Sequence, residues 1–232
     1  MGRAYCGCRL NQSALVIQPV ENLGYHRTLS AEGLLQLHPD LVIGSNHMGP
    51  APAIAALKKA HIPVLELDSP TTLQQLETNI TLLASRLHAE SAAQELIEQL
   101  QTRRAALLKN SRHKPTVVFL LDIGERGLSQ AGTDTTGDAL IKLLGGKNIS
   151  QFSGYKSISV EALWPSIRIL FWLVVVLTAW IALTSSSNVS HYCNIAKRLK
   201  NNQIVSVNAA TLIAGLSLGA LAEAERLADK LY

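Results

Sequence analysis

A long amphipathic helix in the middle of the chain, with an α/β pattern on either side, constrains the fold most. Apolar residues recur at helical spacing over 91–110. Acidic side chains lie near the start and basic ones near the end, as the helix dipole favours. Ser91 with Gln94 three residues on predicts a capping box, and at 1.5 Å per residue the helix forms a rod of about 30 Å. The sequence therefore predicts an incomplete N-terminal α/β lobe, a connecting helix and a C-terminal α/β lobe, over 1–90, 91–110 and 111–232.

The N-terminal half alternates short apolar strands with helices. The runs LVIGS at 41–45 and VLELD at 64–68 flank a helical stretch at 50–60, and a strongly amphipathic helix follows at 71–87. A strand, helix and strand in this order predict a parallel sheet with a right-handed crossover.

The pattern restarts after the long helix. TVVFLLDI at 116–123 indicates a buried strand, followed by a glycine-containing loop at 124–132 and a helix at 133–144. A further strand and helix are predicted at 203–207 and 217–231. The fold class predicted is α/β, with two Rossmann-like lobes joined by a long helix.

Composition excludes several classes of protein. The chain is 47% hydrophobic and 16% charged, which is typical of a globular protein. The net charge of +4 is scattered without basic runs, so nucleic acid binding is not expected. Three cysteines without a CxxC pair fit neither a disulfide framework nor a zinc site. Without GxGxxG, a P-loop or a catalytic constellation, an enzyme is not expected, and a nucleotide- or sugar-dependent Rossmann-like enzyme remains an alternative.

The stretch from Trp164 to Asn202 differs in character from the rest. It holds all three tryptophans, and residues 169–196 include no Asp, Glu, Lys or Arg. Its apolar core, ILFWLVVVLTAWIAL at 169–183, is shorter than the roughly 20 residues of a membrane-spanning helix. Three interpretations stay open: a membrane segment in a single-pass protein with an α/β head, a buried strand and helix, and a misread piece of sequence.

Four motifs, in order, carry a resemblance to a known family. They are LGYHRTLSAEGLLQLHPDLVIGS at 23–45, AGTDTTGDALIKLLGGKN at 131–148, GYKSISVEAL at 154–163 and IVSVNAATLIAGLSLG at 204–219. The chain resembles the periplasmic haem-binding proteins of bacterial ABC haem importers, which are class III substrate-binding proteins. The resemblance implies two lobes around a haem cleft and a monomer in the periplasm. It also implies delivery of haem to an inner-membrane permease and its ATPase.

The family pattern is not met everywhere. Met1–Val20 stands where a signal peptide, a first strand and its helix are expected, and no export signal is present. Trp164–Asn202 also departs from the family while keeping the usual length of the interval. A frame-shifted stretch in a truncated chain is therefore expected, and such a chain would be poorly soluble or a non-functional fragment.

The resemblance assigns the haem-iron axial ligand to Tyr25, the tyrosine of the GYxR motif. Phenolate is an established ligand of ferric haem, although a free tyrosine has a pKa of about 10. In an extended segment Arg27 lies on the same side as Tyr25 and His26 is turned away. Arg27 is therefore expected to favour the phenolate or to contact a haem propionate.

Further residues complete the expected site. His47 follows the strand ending at Ser45, at the sheet edge where α/β folds bind ligands. Tyr155 and Lys156 match the GYK motif of the second lobe and are expected to line the cleft, and 133–135 can offer backbone donors to a carboxylate. Glu161 is the candidate for docking on the permease.

One haem is expected per chain, because 114–190 contains no histidine to hold a second. A siderophore- or cobalamin-binding protein of the same fold is the nearest alternative. Tyr25 with Arg27 is the feature that favours haem.

Overall fold

The structure is a computed structural model that describes residues 23–110, 114–122, 127–159, 162, 172–177, 204–212 and 215–231. The chain divides into two compact units, Met1–Ser69 and Pro70–Tyr232. This division differs from the lobe boundary expected after residue 90, because the helix over Leu73–Leu87 packs within the second unit.

The first unit contains a βαβ arrangement. Its elements in chain order are helix α1 (Ala31–Gln36), strand β1 (Val42–Ser45), helix α2 (Ala51–Lys59) and strand β2 (Val64–Leu67). The strands pair in parallel, from Val42 opposite Val64 to Ser45 opposite Leu67. The Ser30 side chain caps α1 by accepting from Gly33 N at 3.2 Å, and Leu29, Leu34 and Leu57 form the buried core. The parallel pair predicted from the sequence is confirmed.

Four α-helices are described in the second unit. They are α3 (Leu73–Leu87), α4 (Glu90–Asn110), α5 (Thr136–Leu143) and α6 (Leu218–Leu231). A capping box begins α3, with Thr72 and Gln75 as its members. The capping box predicted at Ser91 is wrong, because α4 already begins at Glu90, shortly after α3 ends in a left-handed turn at His88.

A mixed sheet forms the centre of the second unit. Its strands are β3 (Thr116–Asp122), β4 (Leu128–Ala131), β5 (Lys147–Asn148), β6 (Tyr155–Ile158), β7 (Trp172–Leu177) and β8 (Ile204–Asn208). Their order is β6-β4-β3-β7-β8, with β5 also pairing with β3. Strands β4 and β6 run antiparallel to their neighbours. Part of the loop predicted at 124–132 is therefore strand β4.

Strand β7 lies inside the apolar stretch whose nature the sequence left open. It runs parallel between β3 and β8, with Leu173 opposite Val118 on one side and Ile204 on the other. A continuous membrane helix over 169–183 is therefore contradicted, and the strand of the second interpretation is found at Trp172–Leu177. None of the helices among the described residues is long and apolar enough to cross a membrane. The rest of Trp164–Asn202 lies outside the described residues, so the frame-shift interpretation stays a prediction.

Helix α4 is part of the second unit's core rather than a bare rod. Leu100 and Leu107 are buried in the same apolar cluster as Phe119, Leu140 and Leu221. Burying one such side chain is worth about 1.5–3 kcal/mol. A bidentate ion pair adds to the packing: Arg103 donates to Glu225 of α6 at 2.7 and 2.6 Å. These contacts hold the C-terminal half of α4.

Candidate functional site

Tyr25 lies on a tight turn in the first unit. The backbone N–H and the hydroxyl of Thr28 both donate to the Tyr25 carbonyl, at 2.9 and 3.3 Å. Gly24 precedes the turn with a φ of +83°, a conformation that favours glycine. The extended segment predicted here is therefore wrong, and the rule that residues two apart share a side does not apply.

Two backbone hydrogen bonds fix this turn to the loop that follows β1. Leu29 N donates to the Gly49 carbonyl at 2.9 Å, and Gly49 N donates to the His26 carbonyl at 3.0 Å. These two hydrogen bonds to Gly49 hold residues 26–29 at both ends. The position of the turn is thus set by residues distant in sequence.

His26 faces Tyr25 instead of turning away from it. The two ring centroids are 4.6 Å apart, with an interplanar angle of 60°, an edge-to-face contact. Burial lowers the pKa of His26, and the positive charges of Arg27 and His47 lower it further. Arg27 is the next residue on the same turn, and His47 lies two residues before Gly49, whose N–H donates to the His26 carbonyl.

His47 follows β1, as the sequence predicted. Its N–H donates to Ser45 Oγ at 3.3 Å, and its side chain is exposed. The first unit thus brings Tyr25, His26, Arg27 and His47 to one surface. The sequence analysis missed His26 as a member of this group, although its position next to Tyr25 was the available signal.

Two polar groups of this surface, the Tyr25 hydroxyl and the Arg27 guanidinium, have no hydrogen-bond or ion-pair partner among the described residues. The Tyr25 side chain is 53% exposed, and its hydroxyl makes no hydrogen bond with the described residues. Within the same part of the chain, Arg27 makes no ion pair or hydrogen bond through its guanidinium. An exposed phenol and a guanidinium on one tight turn suit a ligand that carries both a metal ion and carboxylates.

Tyr155 and Lys156 lie on β6 in the second unit. The Tyr155 side chain is 45% exposed, yet its hydroxyl lies at the N-terminus of α5. Burial raises the pKa of Tyr155, while interactions with the Gly137 backbone and the Thr135 hydroxyl oppose the rise. Lys156 Nζ lies 4.7 Å from the centroid of the Phe152 ring, a cation–π contact that leaves its charge exposed.

The loop before α5 is already hydrogen-bonded within the second unit. Thr133 N donates to the Phe152 carbonyl at 2.7 Å. The hydroxyls of Thr133 and Ser153 donate to Asp134 at 3.3 and 3.2 Å, and Thr135 caps α5 by accepting from Asp138 N at 3.1 Å. The Thr133 N–H expected to meet a carboxylate is therefore occupied.

Glu161, the candidate for docking on a permease, lies outside the described residues. Within the described ranges, no group of three or more His, Cys, Asp or Glu side chains could hold a bare metal ion.

A family profile described as "Periplasmic binding protein" matches residues 9–172. The match begins inside Met1–Val20, which the sequence analysis had set apart from the family, and so corrects that boundary for residues 9–20. Proteins of this family are periplasmic or extracytoplasmic substrate-binding proteins and are not enzymes. No curated protein matches the chain significantly.

Solved structures agree with this match. The periplasmic haem-binding protein HutB of Vibrio cholerae is 34% identical, with a TM-score of 0.82 over 92% of this chain and 84% of that one. The periplasmic haem-binding protein BhuT, solved with two haems, is 28% identical, with a TM-score of 0.75 over 92% and 84%. The vitamin B12-binding protein BtuF of Vibrio cholerae shares the fold, at 21% identity and a TM-score of 0.66 over 91% and 81%.

Proposed function

Because the chain belongs to the periplasmic binding protein family, we propose that it is the substrate-binding component of an ABC-type haem importer. Its cargo is ferric haem, its place of work is the periplasm, and its partners are an inner-membrane permease and the associated ATPase. Haem is bound and released unchanged. Tyr25 is the axial ligand of the haem iron.

The observation that carries the proposal is the exposed phenol of Tyr25 on the same tight turn as Arg27. A phenolate oxygen is a strong donor to ferric haem, and the tyrosine must lose its proton on binding. The guanidinium of Arg27 can pair with a haem propionate by charge-assisted hydrogen bonds. The structures of HutB and BhuT, both haem-binding proteins, support the choice of cargo.

The remaining residues receive supporting roles. His47 lines the first-unit surface next to His26, and Tyr155 and Lys156 line the second-unit surface, where the exposed ammonium of Lys156 suits a propionate. Glu161 docks on the permease. We propose one haem per chain, although BhuT holds two.

Titration of the purified chain with ferric haem tests the proposal. We expect one equivalent to bind and to give the five-coordinate, high-spin spectrum of a tyrosinate complex. Tyr25→Ala and Tyr25→Phe should both remove that spectrum, because neither side chain offers an oxygen to the iron. The two variants differ in size but share the missing hydroxyl, so a common loss assigns the effect to the oxygen.

An unchanged spectrum in both variants would contradict the role of Tyr25. Vitamin B12 and a ferric siderophore, titrated by calorimetry against the same preparation, separate the alternative cargoes. Binding of either compound in place of haem would replace the proposed function with the runner-up of the same fold.

A further inference from the structure

We infer that His26 is a positioning residue that holds the ring of Tyr25 in its ligating orientation, an inference that rests on the proposed function. The edge-to-face contact of the two rings at 4.6 Å is the observation behind it. His26 would act through Tyr25 and would not bind the iron itself.

Little else in the described chain restrains the Tyr25 side chain. Its hydroxyl has no hydrogen-bond partner among the described residues, and just over half of the side chain is exposed. Within this part of the chain, the ring contact with His26 is therefore the interaction that can limit the rotation of the phenol.

His26 itself is well anchored. Its carbonyl accepts from Gly49 N at 3.0 Å, and its side chain is partly buried, in contrast to the exposed Tyr25. A partly buried imidazole on an anchored backbone can thus define the position of the more exposed phenol. A Tyr25 ring that is already held in place before haem binds loses less conformational freedom when the complex forms.

The same geometry excludes His26 as the ligand opposite Tyr25. Two axial ligands lie on opposite faces of the porphyrin, whereas these two rings touch each other. The imidazole edge must then stay on the same face of the haem as Tyr25.

The experiment compares ferric-haem binding by the full chain with His26→Ala and His26→Phe. We expect His26→Ala to bind about two- to tenfold more weakly, the value of one edge-to-face pair, with faster haem release. Its electron paramagnetic resonance signal should remain that of high-spin tyrosinate but broaden, because the phenol samples more orientations. His26→Phe keeps an aromatic edge and should restore both affinity and line width.

His61→Asn is the matched control. It removes an exposed imidazole of the same unit, and asparagine tolerates the φ of 59° found there. We expect it to behave as the wild type. If His26→Ala does not fold, His26→Leu gives the same comparison, because it keeps bulk without an aromatic edge.

Wild-type affinity and line width in His26→Ala would overturn the inference. So would equal losses in His26→Ala and His26→Phe, since that result would assign the effect to the imidazole nitrogens. Absence of a tyrosinate spectrum in the wild type is a different result, because it would remove the proposed function itself.

Discussion

At the scale of single residues, Arg27 offers the sharpest test after Tyr25. Its guanidinium makes no ion pair among the described residues, so its charge is available to a ligand. We expect Arg27→Ala to weaken ferric-haem binding by about 1–3 kcal/mol, because a charge-assisted hydrogen bond is lost. Arg27→Lys should recover part of the loss, since it keeps the charge without the planar fork. Isothermal titration calorimetry measures both.

Arg86→Ala serves as the control for this substitution. Arg86 is exposed in the last turn of α3 and belongs to the second unit. We expect its loss to leave haem affinity unchanged. Equal affinities for Arg27→Ala and the wild type would remove Arg27 from the site.

The sequence predicted Tyr25, Arg27 and His47 as site residues but did not predict how they are arranged. The family motif gave the residue types, and the end of β1 gave the place of His47. The predicted orientation of His26 was wrong because the prediction assumed an extended backbone. The structure instead has a turn, which the hydrogen bond from Thr28 N to the Tyr25 carbonyl closes. That turn also depends on Gly49, and a hydrogen bond between such distant residues leaves no trace in local periodicity.

At the scale of secondary-structure elements, the strongly periodic helices and the apolar strands were predictable. Strand β4 was not, because its sequence LSQA looks like a polar loop. Ser129 and Gln130 are nevertheless buried, and Gln130 Nε2 donates to Ser150 Oγ at 2.6 Å. A hydrogen bond formed only in the folded chain satisfies the side chain of Gln130, so composition alone cannot indicate a strand here.

The attachment of α6 to β8 predicts a dependence of stability on pH. Glu223 accepts from Arg226 at 2.8 and 2.7 Å and from Asn208 N at 3.0 Å. Burial alone would raise the pKa of Glu223, but these hydrogen bonds and the charges of Arg226 and Lys230 outweigh it and lower the pKa. Because the pKa of Glu223 is lower in the folded than in the unfolded chain, its ionised form stabilises the fold at pH values above the unfolded pKa of about 4.3. That stabilisation is lost as the pH falls through the pKa of the folded state.

We therefore expect thermal stability to fall as the pH is lowered from about 5 to about 3. Glu223→Gln should lower the free energy of unfolding by about 1–3 kcal/mol at pH 7, because the hydrogen bonds from the charged Arg226 weaken. It should also reduce the loss of stability between pH 5 and pH 3, about the range in which Glu223 becomes protonated. Thermal unfolding followed by circular dichroism across this range measures both effects. Glu95→Gln, an exposed change on α4, should leave the curve unaltered. An equal fall in unfolding temperature with decreasing pH for the wild type and Glu223→Gln would contradict this account of Glu223.

At the scale of the whole molecule, the sequence predicted two α/β lobes joined by a connecting helix over 91–110, whereas the compact units divide after Ser69. The long helix looked like a connector because its length is visible in sequence, whereas its packing partners are not. Leu100, Leu107 and Arg103 all contact the second unit's own elements. The chain passes between the compact units at Ser69 and Pro70 instead.

Pro70 is held firmly where the second unit begins. It is buried, and its carbonyl accepts from Leu216 N at 2.7 Å. Gly215 lies against it with a φ of +90°, and a Cβ there would come within 2.6 Å of the Pro70 carbonyl oxygen. Proline also restricts its own φ, so the passage from Ser69 into α3 has little freedom. Limited backbone freedom at this point disfavours wide hinge bending there.

We accordingly expect the radius of gyration from small-angle scattering to change little when haem binds. Gly215→Ala should enlarge the change, because the added Cβ cannot coexist with Pro70 in its present position and must displace it. Gly127→Ala is a matched control, since that glycine also has a positive φ, of 77°, but a Cβ there would meet no atom within 4 Å. Both substitutions carry the same backbone penalty, and the difference between them reports the contact with Pro70. A decrease of several ångström in the radius of gyration of the wild type on haem binding would show that the connection at Ser69 and Pro70 is a hinge. The stiffness inferred from the hydrogen bond of Leu216 N to the Pro70 carbonyl would then be wrong.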